Sequence, residues 1–212
     1  LFNPDVTHRE IRFLRSVHLK GKPQPDAAGT VFIDIGPAVA HARFPAITSR
    51  NIARDFPGMK VVAMDLPEQM RIYKRHIPVY LKRQLQSHKN LYFLQGDGIK
   101  SLLEQLRTPE NWIFDDRERF DIADETIIIR AANSIDIYVH WSEVEPALRQ
   151  MAQDFEKNPV LLFFNRGILV KPAGSVRFDV VGYISIRGFH HYMNILDREG
   201  EEPYRLFNLV DD

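Results

Sequence analysis

Short apolar runs alternate with stretches of helical periodicity along most of the chain. Val31-Phe-Ile-Asp-Ile-Gly36, Lys60-Val-Val-Ala-Met-Asp65 and Asn90-Leu-Tyr-Phe-Leu-Gln-Gly-Asp-Gly98 each carry an apolar run into a carboxylate or a glycine. Thr126-Ile-Ile-Ile-Arg130 and Pro159-Val-Leu-Leu-Phe-Phe164 are two more. Runs with so few polar alternates are expected of parallel strands buried on both faces. The polar segment from Pro45 to Phe56 has helical length, and residues 99–107 also read as a helix. Met70, Tyr73, Ile77, Leu81 and Leu85 keep helical spacing, with Pro78 predicted to kink or split that helix. Ser142-Glu-Val-Glu145 has capping-box spacing, and Val144, Leu148, Met151 and Phe155 continue it as an inward stripe. The pattern predicts an α/β fold, a mostly parallel sheet with helices on both faces.

The two ends depart from this alternation. Thr7-His-Arg-Glu10 is another capping box, and Ile11, Leu14 and His18 make residues 8–20 an amphipathic helix, joined by a Gly- and Pro-containing linker to the first strand. The expected division is an N-terminal helix and linker over residues 1–29, then one α/β domain over 30–212. Near the other end, residues 177–187 and 204–210 are strand-like with no helical pattern between them, which predicts an antiparallel pair at the sheet edge.

Composition narrows the partners. Lys plus Arg (28) equals Asp plus Glu (28), so no overall field draws the chain to nucleic acid or to an anionic membrane. The basic face of Arg71, Lys74, Arg75, Lys82 and Arg83 reads as a solvated helix face or as a contact for an acidic substrate. With 44% hydrophobic and 26% charged residues the chain has the make-up of a soluble globular protein, and the expected location is cytoplasmic. No apolar run reaches the length needed to span a membrane. The absence of cysteine removes disulfides, thiolate catalysis and Cys-ligated zinc. His190 and His191 are adjacent in a predicted strand, so their side chains point to opposite faces, and no metal site is expected of them.

In parallel α/β units ligands sit beyond the carboxyl ends of the strands. Asp34, Gly36 and Asp65 would therefore border one crevice. Gly36 permits a tight turn and close approach of a ligand, while an acid ending the second strand is placed to accept hydrogen bonds from a ribose diol. A nucleoside-containing ligand is implied. Each residue also has a plainer reading, Gly36 and Pro37 as a turn and Asp65 as a helix cap.

Asp34-Ile-Gly36, Asp65-Leu-Pro67 and Gly96-Asp-Gly98 follow the first three strands in an order that resembles the class I S-adenosylmethionine-dependent methyltransferases. The stretch from Asp55-Phe-Pro to Asp65-Leu-Pro67 is similar to a segment of small-molecule O-methyltransferases. The resemblance implies a Rossmann-like fold and S-adenosylmethionine as cofactor. It puts the turn at Gly36 at the methionine part, Asp65 at the ribose hydroxyls, and Asp97 with Gly98 against the adenine, with Asp34, Pro37, Leu66 and Gly96 also expected in the cofactor-binding set. Arg130, at the end of the fourth strand, joins that cofactor set, and Asn133 and Ser134 just beyond it are expected at the substrate. A small-molecule acceptor is implied.

Two features depart from the family pattern. Ala38 and Ala40 stand where glycines are usual, and alanine resists positive φ, so a different loop conformation is expected. The spacing from Asp34 to Asp65 implies extra residues around Val39 to Phe44. The histidine that removes the acceptor's proton in the O-methyltransferases falls on Ser134 in ungapped register, and only an insertion brings His140 into its place. His140 is therefore either a general base or a structural residue before a helix cap. Two rivals stay open: a non-catalytic relative that binds or scaffolds, and a nicotinamide-dependent oxidoreductase. The second would need Gly-x-Gly-x-x-Gly, which Gly36-Pro-Ala-Val-Ala-His41 lacks.

Overall fold

The computed structural model describes residues 28–41, 43–76, 88–113, 122–131, 134–164 and 167–183. The predicted N-terminal helix, the continuation past Ile77, Asn133, His190, His191 and the strand expected at 204–210 lie outside them.

Strand β1 (Thr30–Ile35) leads through a loop to helix α1 (Ile47–Asp55), then β2 (Lys60–Asp65), α2 (Pro67–His76), β3 (Leu91–Gln95), α3 (Leu102–Arg107) and β4 (Thr126–Arg130). A short α4 (Ile135–Tyr138), a long α5 (Trp141–Asp154) and β5 (Val160–Phe163), β6 (Gly167–Lys171) and β7 (Asp179–Tyr183) complete the described order. The strands form one sheet in the order β3-β2-β1-β4-β5-β6-β7. The first five are parallel, with Ile33 opposite Val62 on one side and Ile129 on the other. β6 runs antiparallel to β5, and β7 antiparallel to β6. The fold is a Rossmann-like α/β sheet, mostly parallel, with an antiparallel edge. β7 falls within the predicted 177–187 strand, and among the described residues it pairs with β6, a run the sequence pattern did not mark.

Alternation along each strand divides the core in two. Val31, Ile33, Val62, Met64, Ile127, Ile129 and Leu162 face Leu102 and Leu106 of α3 and Leu148, Met151 and Phe155 at α5. Phe32, Val61, Ala63, Phe93, Ile128 and Phe163 face Ile52 and Ala53 of α1 and Met70 and Tyr73 of α2. Both faces are thus covered, which is why the strands read as unbroken apolar runs. Among the described residues no helix is long and apolar enough to cross a membrane.

Strand order reverses between β1 and β4, so the loops leaving these two strands diverge around a topological switch point. Gly36 ends β1 there, and Ser134 follows β4.

Candidate nucleoside site

Strand alternation sends Asp34 and Arg130 to the α1 face, where they lie side by side in register. Asp34 is wholly buried. One carboxylate oxygen accepts from Arg130 Nη1 at 3.1 Å, and the other from the Ser49 hydroxyl of α1 at 2.7 Å. Burial pushes the Asp34 carboxyl above the usual range, opposed by the Arg130 charge and the Ser49 hydrogen bond. Two residues expected to hold cofactor are therefore bonded to each other beneath the crevice.

Asp65 ends β2 and is 8% exposed. It accepts hydrogen bonds from the backbone N–H of Leu66 at 2.9 Å and of Val39 at 3.1 Å. Burial raises its pKa most, and the Asp34 charge adds to that. The N–H groups of Val39, Leu66 and Ala38 act in the opposite direction. The loop after β1 is thus fastened to the acid after β2.

Gly36 has φ 70 and donates its N–H to the Met64 carbonyl at 2.8 Å, closing the turn. Pro37 is buried beneath it, and Leu66 is exposed. Ala38 departs from expectation: alanine resists this region, yet Ala38 takes φ 57, the left-handed conformation a glycine would adopt. Packing of the wholly buried Val39 and its bond to Asp65 hold it there. Ala46, before α1, has φ 46, so the lengthened loop between Gly36 and α1 carries left-handed alanines near both ends.

A Cβ added to Gly36 would lie 2.7 Å from Ser134 Cβ, so Ser134 sits directly against the turn. Its hydroxyl donates to the Ala131 carbonyl at 2.8 Å. A Cβ on Gly98 would meet Ile35 Cγ2 at 2.6 Å and Ile135 Cδ1 at 2.9 Å, and one on Gly96 would meet Gln105 Oε1 at 2.5 Å. Asp97 receives the Ile99 N–H at 3.1 Å and lies 3.9 Å from Lys100 Nζ, while its own N–H donates to Gln105 at 2.6 Å. The turn at Gly96-Asp97-Gly98 is therefore braced by α3 and pressed against the β1 and β4 exits.

His140 lies apart from this contact set in the chain. It is the N-cap of α5, its Nδ1 accepting the Ser142 N–H at 3.3 Å and lying 2.8 Å from the Ser142 hydroxyl. The cap is His140 rather than the predicted Ser142. Ser49 is the site residue that the sequence did not single out. It is small, polar and buried on α1, one helix away from an acid ending β1.

No protein-family model matches the chain, and no curated protein matches it. Among solved structures, the chain is similar to the S-adenosylmethionine-dependent methyltransferase SibL in its apo form, 14% identical, with a TM-score of 0.38. The match covers 73% of this chain and 36% of that one, so the chain spans about a third of that protein's length.

A ribose diol needs a carboxylate oxygen open to its hydroxyl hydrogens. Each Asp65 oxygen accepts one backbone N–H and keeps a lone pair for a hydroxyl hydrogen, so Asp65 fits a ribose diol. Asp34 is wholly buried and bound to Arg130 and Ser49, so it supports the site from beneath. Ser134 and Ile135 pack beside Gly36 and Gly98, and the residues expected to form the site converge.

Proposed function

We propose that the chain is an S-adenosylmethionine-dependent methyltransferase acting on a small-molecule acceptor. The observation that carries this reading is Asp65, a buried acid ending β2 beside the positive-φ turn of Gly36 at the switch point. The glycine-flanked Asp97 after β3 supports it, because a nicotinamide-binding unit has less need of a third acid. In this reading Asp65 accepts the ribose hydroxyls and the turn at Gly96-Asp97-Gly98 lies along the adenine. Asn133 and Ser134 would border the acceptor. His140, as base, would use Nε2, since Nδ1 is engaged with Ser142.

A second reading, a non-catalytic module keeping the fold, is favoured by Asp34, which is wholly buried and bound to Arg130 and Ser49, and by the left-handed alanine after Gly36 where glycine is usual. Calorimetric titration with S-adenosylmethionine, S-adenosylhomocysteine and NADH separates the readings. The first predicts micromolar binding of both adenosyl ligands, abolished in Asp65→Ala and weakened in Asp97→Ala. Absence of adenosyl binding by a folded protein would sink it. NADH binding alone would then leave the oxidoreductase, and no binding at all the cofactor-free module.

A further inference from the structure

We infer that the outer side of α1 and α2, with the loop before α1, docks on the surface of an anionic lipid bilayer. This goes beyond the methyltransferase reading and stands independently of it.

The chain's balance of 28 basic and 28 acidic residues conceals a local asymmetry. Among the described residues, α1 and α2 carry Arg50, Arg54, Arg71, Lys74 and Arg75 against Asp55 and Glu68. On the opposite face of the sheet, α3 and α5 carry Glu104, Glu143, Glu145 and Asp154 against Arg107 and Arg149. One side is thus basic and the other acidic. Arg54 is paired with its neighbour Asp55, but neither Arg71 nor Arg75 has an acidic partner among the described residues.

The same side carries exposed apolar side chains. Phe44 is 43% exposed, Leu66 47% and Ile72 41%, three of the five large hydrophobic residues left exposed among the described residues. On α2, Met70 and Tyr73 are buried in the core, so helical geometry turns Arg71, Ile72 and Arg75 outward together. Phe44 lies in the loop that leads into α1, with the Arg43 guanidinium 5.5 Å from its ring centroid. The bond from the Val39 N–H to Asp65 sets that loop beside the start of α2, where Leu66 lies. Guanidinium groups interleaved with large apolar side chains suit a bilayer, whose anionic headgroups take the cations while the acyl boundary takes the apolar groups. A nucleic acid would answer the charges but leave Leu66 and Ile72 in water.

The test is co-sedimentation of the wild-type protein with vesicles of phosphatidylcholine alone and of phosphatidylcholine mixed in equal parts with phosphatidylserine. The protein should pellet with the mixed vesicles and stay in solution with the neutral ones. Each cation near an anionic surface contributes roughly fivefold to partitioning, so Arg71→Gln/Arg75→Gln should weaken binding about 25-fold. Phe44→Ser/Ile72→Ser keeps every charge and should weaken it about tenfold through lost apolar burial. All four side chains are exposed, so neither pair disturbs the core. Failure of the wild type to pellet with the mixed vesicles at low salt would overturn the proposal, and so would undiminished binding by either variant. Capture of a single-stranded oligonucleotide in place of the vesicles would overturn it too, assigning the face to nucleic acid. Adenosyl binding is read separately by the calorimetric titration, so the two proposals fail by different measurements.

Discussion

Asp34 and Asp65 are both buried acids on the α1 side of the sheet, but their partners differ. Asp34 faces a guanidinium and a hydroxyl, whereas Asp65 faces backbone N–H groups. For Asp65, burial outweighs those donors, and its pKa lies above the ordinary 3.8. The folded state then binds more protons than the unfolded chain between the two values. The stability this gives is complete below about pH 3.8 and is lost as pH rises through the folded value. Asp65→Asn cannot titrate there. It also presents an NH2 group in place of one acceptor oxygen, leaving one of two N–H groups without a partner at about 1–3 kcal/mol. Urea unfolding from pH 4 upward should show the advantage of wild type over Asp65→Asn narrowing, with a slope of at most about 1.4 kcal/mol per pH unit. A gap that widens with pH would reverse the assigned sign.

At the scale of elements, a lysine ending β6 ties the antiparallel edge to the segment that leads into β5. Lys171 ends β6 and is wholly buried. Its ammonium, with three hydrogens to donate, lies 2.8–3.3 Å from the carbonyls of Asn158, Ser175, Pro172 and Glu156. Burial lowers its pKa, and the Glu156 charge opposes that. Lys171→Met keeps the length of the stem but leaves these carbonyls without their donor. The expected loss is on the order of 3 kcal/mol, a fall in Tm of roughly 6–12 °C by thermal unfolding. A fall under about 2 °C would mean that water replaces the ammonium without cost.

The same lysine explains part of what the sequence concealed. β1 to β5 were legible because burial on both faces makes each an almost unbroken apolar run. β6 offers only Ile168, Leu169 and Val170 between a glycine and a Lys-Pro pair, too short an apolar run for the pattern to mark. The cap of α5 was misplaced because a Ser-x-x-Glu signal outweighs a histidine on pattern alone, although the His140 ring supplies the acceptor. The convergence of Gly36, Asp65 and Gly98 was legible, since it follows from strand order. What they touch was not. Asp34 and Arg130 lie 96 residues apart and meet only once β1 and β4 pair. Nor does any local signal say that Asp65 would spend its oxygens on the loop after β1.

For the molecule as a whole, the sheet brings the exits of β1, β2, β3 and β4 to one end, where ligands of parallel α/β folds bind, and in this protein those exits touch. Direct contacts join Gly36 to Ser134, Gly98 to Ile35 and Ile135, and Asp65 to Val39. A ligand that binds only the folded protein stabilises it by about 2.7 kcal/mol at a hundred times its Kd, which for a chain of this size raises Tm by roughly 5–11 °C. The most direct test of an adenosyl site at this end of the sheet is therefore the thermal unfolding of the wild-type protein with and without saturating S-adenosylhomocysteine. A rise in that range, absent in Asp65→Ala, is the predicted result. An unchanged Tm in wild type at millimolar ligand would contradict it.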